Sequence, residues 1–121
     1  MKNFNGWTIF AGVNGFIAVA FGAVGAHAIA DAYLSGLVER ASQYQLIHAA
    51  VLLYLASQNG GFVRAARWLF ALGLVLFCGA LYVKGLSGWM HASQPAPTGG
   101  VSFMLGWLAL AASGWKTRAR R

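Results

Sequence analysis

The charged residues of this chain are so widely spaced that they leave four apolar stretches. None falls between Lys2 and Asp31, between Arg40 and Arg64, between Arg67 and Lys84, or between Lys84 and Lys116. About 20 apolar residues, rising about 1.5 Å each, cross a hydrocarbon core of about 30 Å. The pattern therefore predicts four helical spans, at about 7–30, 42–57, 68–86 and 100–115. Such runs are too long and too uniformly apolar for the alternating strands of a membrane barrel. The third is short, but Lys84 stands near its end, where its long stem can carry the ammonium to the headgroups. Before the fourth, Pro95-Ala96-Pro97-Thr98-Gly99-Gly100 reads as a turn with Thr98 as helix N-cap. The expected fold is all-α, an integral membrane four-helix bundle, with residues 1–121 forming a single transmembrane domain.

Composition narrows the class further. Apolar residues make up 59% of the 121 positions and charged residues 9%, which excludes a disordered chain. Cys78 is the single cysteine, so no disulfide framework can hold the chain together. In a four-span arrangement Lys2, Arg64, Arg67, Lys116, Arg118, Arg120 and Arg121 share one side and only Arg40 and Lys84 the other. Basic residues gather on the cytoplasmic side, so both termini of this multi-pass protein are expected there. The net charge of +7 then reflects attraction to anionic lipids rather than nucleic-acid binding. Ala26-His27-Ala28 has the form of a signal-peptide cleavage site, but the apolar run before it is too long for such a segment. The first span is expected to stay as a helix.

Small residues mark where helices approach in lipid, where apolar surface alone gives no reason to associate. Gly12, Gly15, Gly22 and Gly25 recur along the first span, and Gly106 lies four residues after Ser102 in the fourth. These are expected packing positions, in a compact bundle or in contact with a second copy or a larger membrane complex. Trp7, Trp68 and Trp115 fall at the expected cytoplasmic ends, with Tyr33, Tyr82 and Trp89 towards the other side. Trp107 lies inside its span, where a packing role is expected.

Several segments invite a comparison. Phe21-Gly22-Ala23-Val24-Gly25-Ala26-His27-Ala28, then Tyr44-Gln45 and His48-Ala49, then Pro97-Thr98-Gly99-Gly100 and Gly106-Trp107 occur in that order. Together they resemble the small membrane protein family catalogued as domain of unknown function 423. The resemblance implies a four-helix, multi-pass protein of the bacterial inner membrane, with relatives in other lineages, and brings no established activity with it.

The residues that could carry chemistry are His27, Tyr44, Gln45 and His48, together with Asn14. If the second span starts near Ser42, then His27 and His48 both sit in the outer half of the bilayer and can approach each other. Tyr44 and His48, four apart, share one helix face beside Gln45. Two readings stay open. The residues can tie helices together by hydrogen bonds, or the two imidazoles can hold a metal or haem iron or bond a quinone carbonyl. No Cys or carboxylate lies near enough in sequence to complete a zinc set, so no metal and no cofactor is assigned. With two acidic residues in the whole chain, both expected in a loop, acid–base catalysis and proton-coupled transport lack their usual carboxylates. An accessory or structural membrane protein without catalytic activity is expected first, a cofactor-binding subunit second and a small transporter third.

Overall fold

The computed structural model describes residues 5–119, and among these every regular element is helical. Helix α1 is Gly6–His27, α2 is Ala32–Leu55, α3 is Gly61–Ser87 and α4 is Ala96–Ala119. A short 3-10 turn, Met90–Ser93, precedes α4. Lys2, Arg120 and Arg121, three of the charges in the predicted bias, lie outside the described residues.

The helix ends follow from local chemistry. The Asn5 side chain accepts from the backbone N–H groups of Trp7 and Thr8, satisfying two donors that the first turn of α1 leaves free. Asp31 does the same for Leu34 and starts α2. This cap places Glu39 and Arg40 inside the helix instead of in the expected loop, and α2 begins at Ala32 rather than near Ser42. The expected turn before the last span is likewise helical from Ala96, so Thr98 lies in the first turn rather than at the cap. Pro97 fits there, because first-turn N–H groups have no partner within the helix. Gly88, at φ 77°, closes α3 in the left-handed conformation that glycine adopts without a Cβ clash.

Helix α3 is not uniform, since Leu74–Cys78 forms a π-turn between the α-helical pieces Gly61–Gly73 and Gly79–Ser87. A Cβ on Gly99 of α4 would collide with the backbone of Phe77 in that turn. The start of α4 therefore rests directly against it.

The chain folds as two antiparallel pairs, α1 with α2 and α3 with α4, joined mainly through α2 and α3. We call the end bearing Asn5 and Ala56 proximal and the end bearing His27 and Asp31 distal. Val38, Leu52, Leu55, Phe70 and Cys78 are fully buried between the helices. Large apolar side chains cover the outside, with Phe16 75% and Val19 63% exposed on α1 and Leu108 67% exposed on α4. An apolar exterior around a well-packed interior is the surface a bilayer requires. Two helices, α1 and α3, are long and apolar enough to cross a membrane by length and composition.

Close helix contact uses only some of the predicted glycines. A Cβ on Gly22 would lie 2.8 Å from Ser42 Oγ, one on Gly25 3.0 Å from Glu39 Cγ, and one on Gly106 2.7 Å from the Phe70 ring. A Cβ on Gly12 or Gly15 meets nothing within 4 Å, so neither glycine packs against a neighbouring helix within the bundle. The glycines of the first span do not form one stripe against α2. The helix turns its Gly22–Gly25 segment to its neighbour and leaves Gly12 outside.

Candidate functional site

The interior polar residues form a ladder that climbs the bundle with α2 at its centre. Near the distal end, Ser35 Oγ donates to the Gly25 carbonyl at 2.6 Å, and Ser42 Oγ donates to the Ala18 carbonyl at 2.6 Å. Next comes Gln45, whose Nε2 donates to Asn14 Oδ1 at 2.8 Å and whose Oε1 accepts from the Tyr82 hydroxyl at 2.6 Å. One amide thus bonds α1 and α3 at the same time. Asn14 returns its own Nδ2 to the Phe10 carbonyl at 2.9 Å. Between α3 and α4, Ser102 Oγ donates to the Leu69 carbonyl at 2.6 Å.

His48 is the rung that reaches α4. Its Nδ1 lies 2.7 Å from the Tyr44 carbonyl and its Nε2 3.0 Å from Trp107 Nε1. A carbonyl can only accept and an indole N–H can only donate, so these partners select one tautomer: neutral imidazole with its proton on Nδ1. The single ring lone pair available to a ligand is therefore occupied by Trp107. The ring is also clamped in plane, stacked on Phe103 at 3.9 Å between centroids with Phe70 edge-on at 5.2 Å. A groove of about 320 Å³ opens between α2 and α4 above it, lined by Tyr44, Phe77, Phe103, Met104 and Trp107 with His48 at its floor. Tyr44 and Trp107 stand at its mouth, 42% and 41% exposed.

The structure brings together Gln45 and Asn14 and lines one groove with both Tyr44 and His48, but it separates the two histidines. Ser35 on α2 bonds Gly25, so the end of α1 with His27 lies level with the start of α2. His48 is more than three helical turns farther along, about 20 Å at 1.5 Å per residue. His27 is exposed at the distal end. The expected approach of the two rings fails because α2 starts ten residues earlier than its apolar run suggests, which carries His48 into the proximal half. Tyr82, expected at the interface, is buried on Gln45, and Trp107 is the partner of His48. The position of Trp107 deep in an apolar run, where an indole needs a polar partner, was the signal available for it, whereas Tyr82, two residues before Lys84, carried none.

No group of three or more His, Cys, Asp or Glu capable of holding a metal occurs among the described residues. At the proximal end Arg67 Nη1 donates to the Leu55 and Gln58 carbonyls at 2.9 and 3.1 Å, with the guanidinium 5.6 Å from the Trp7 ring. A cation on the last carbonyls of α2 is favoured by the helix dipole. Asn5 Nδ2 adds a bond to the Ala56 carbonyl at 2.9 Å.

A polar ladder inside an apolar exterior is the plan of a membrane protein, and comparison with known proteins agrees. A family described as "Protein of unknown function (DUF423)" matches residues 21–100. The chain belongs to this family. The matched segment runs from the end of α1 to the start of α4 and so includes Gln45, His48 and Tyr82. Among relatives, the UPF0382 inner membrane protein YgdD of Escherichia coli K12 is 39% identical over 108 residues, covering 82% of this chain and 81% of its own. The UPF0382 membrane protein SAB0533 of Staphylococcus aureus is 37% identical over 109 residues, with 84% and 88% covered. The UPF0382 membrane protein YwdK of Bacillus subtilis is 34% identical over 111 residues, with 84% and 89% covered. No solved structure matches the chain.

Proposed function

We propose that this chain is a four-span accessory or structural protein of the bacterial inner membrane, with both termini in the cytoplasm and no catalytic activity of its own. The observation that carries the reading is the state of the interior polar groups. All five polar side chains buried among the described residues, Asn14, Ser42, Gln45, His48 and Ser102, are hydrogen-bonded to a neighbouring helix. Their chemistry is used in holding helices together, and His48 offers no free lone pair to iron or to another metal. Glu39, an acid within α2, lies 3.3 Å from Ser35 Oγ on its own helix and is half-buried near the distal end.

Four spans are supported by the lengths of α2 and α4, which at 24 residues each extend about 36 Å. Glu39, Arg40 and the interior amides make α2 less apolar than α1, but the amides and Glu39 turn towards other helices. The name of the Escherichia coli relative supports the inner membrane.

The test is the optical spectrum and metal content of the purified full-length chain, followed by His48→Gln. We expect no absorption beyond that of the aromatic side chains and no metal in proportion to protein. A Soret band or one metal per chain that disappears in His48→Gln would overturn the reading.

A further inference from the structure

Gln43 is an amide that the polar ladder does not use. It precedes Gln45 by two residues and so stands on nearly the opposite face of α2, exposed and without a hydrogen bond among the described residues. It falls midway between the caps Asp31 and Ala56, about 18 Å from either at 1.5 Å per residue. On the four-span reading proposed above, from which this inference proceeds, that is the middle of the bilayer. Hydrocarbon offers an amide no hydrogen bond, and polar side chains at that depth normally face protein or water.

The residues in line with Gln43 form a seam. Arg40, Gln43, Ile47, Ala50 and Tyr54 recur at spacings of three, four, three and four, and all are exposed. An average step of 3.5 residues is the repeat of two helices wound as a left-handed pair, in which one amide at a seam position sets the register. Ala50 leaves room for close approach.

We propose that two copies of the chain meet along this seam, α2 beside α2 in parallel about a two-fold axis, with the two Gln43 amides hydrogen-bonded to each other. Copies inserted in the same orientation bring identical residues to the same depth, so Gln43 faces Gln43 without adjustment. A primary amide holds both donors and an acceptor and is complementary to itself, whereas a lipid chain offers neither. The Cα–Cβ bond of Arg40, one turn nearer the distal end, tilts towards the N-terminus of α2, so its long stem carries the guanidinium away from the Gln43 pair and towards the distal side.

Two measurements on the full-length chain test the pairing. In native membranes, oxidation of Ile47→Cys should give a covalent species of twice the monomer mass. Phe16→Cys, on the outer face of α1, and the parent chain with its buried Cys78 should not. In liposomes, energy transfer between labelled chains should show Gln43→Leu weakening association about three- to thirty-fold, the range expected for an interhelical hydrogen bond in a membrane. Gln43→Asn should keep most of it, and the melting temperature of the monomer should not move. Absence of the Ile47→Cys dimer, a cross-linked product containing a different protein, or unchanged association in Gln43→Leu would overturn the pairing. A water-soluble maleimide applied to Gln43→Cys separates the two levels. Labelling would overturn the membrane-spanning placement of α2 together with the dimer, whereas a protected cysteine without a dimer would overturn the pairing alone.

Discussion

Gln45 shows most directly how a single residue decides the stability of this bundle. It bonds Asn14 and Tyr82 at once, so Gln45→Leu leaves polar groups unpaired on both α1 and α3. Tyr82→Phe removes one of the two bonds. The expected loss in detergent unfolding is about 1 kcal/mol for Tyr82→Phe and about 2–3 kcal/mol for Gln45→Leu, the larger value reflecting two bonds and one misfit. Equal losses in both variants would show that the two rungs do not act through Gln45. His48 gives a second ordering. His48→Gln can still accept from Trp107 and should be mild, His48→Leu leaves the indole N–H without a partner and should cost about 1 kcal/mol more, and Trp107→Phe should resemble His48→Leu. A haem or metal ligand would show Gln and Leu as equally damaging.

At the scale of the helix pair, glycine opposite phenylalanine sets how closely α3 and α4 approach. Gly106 receives the Phe70 ring from α3, and Phe103 of α4 lies in the same way against Gly73. Gly106→Leu has to displace a fully buried ring and should destabilise the protein by about 2–3 kcal/mol, the usual range for overpacking. Gly15→Leu projects into open space and should change monomer stability by less than about 0.5 kcal/mol. Thermal melting of both variants in one detergent checks the pair. A large loss in Gly15→Leu would place that glycine at a contact between copies. The π-turn at Leu74–Cys78 belongs to the same scale, because it lies where Gly99 brings the start of α4 onto the backbone of α3.

For the whole molecule, the arrangement across the membrane is the property most open to test. Arg64 and Arg67 stand at the proximal end, and Arg67 also holds the C-terminal carbonyls of α2 there. A reporter fused after Trp115 should be active in the cytoplasm, and one inserted within 88–94, around the 3-10 turn, should be active in the periplasm. A periplasmic signal from the C-terminal fusion would reverse the proposed orientation. Arg67→Leu should lower stability by about 1–2 kcal/mol through the lost cap while leaving both reporter signals unchanged, since several other basic residues still set the bias.

The amino-acid sequence by itself determined the class and the number of helices, because four charge-free apolar runs and their flanking cations report hydrophobic burial and charge placement, which depend on composition and little on neighbours. It also singled out Gln45 and His48, but on the same ground as Tyr44 and His27, which are exposed. The tertiary structure alone decided what those residues touch. Sequence spacing places Tyr44 and His48 on one face but cannot say that Trp107, 59 residues away, supplies the donor to His48. Where α2 begins was hidden as well, since Asp31 acts as a cap through a backbone hydrogen bond while Glu39 and Arg40 resemble loop residues by polarity. With α2 starting at Ala32, His48 lies far along the helix from His27, and it is Gly22 and Gly25 rather than Gly12 and Gly15 that meet α2. Register is a property of two surfaces fitted together, and only the fitted pair contains it.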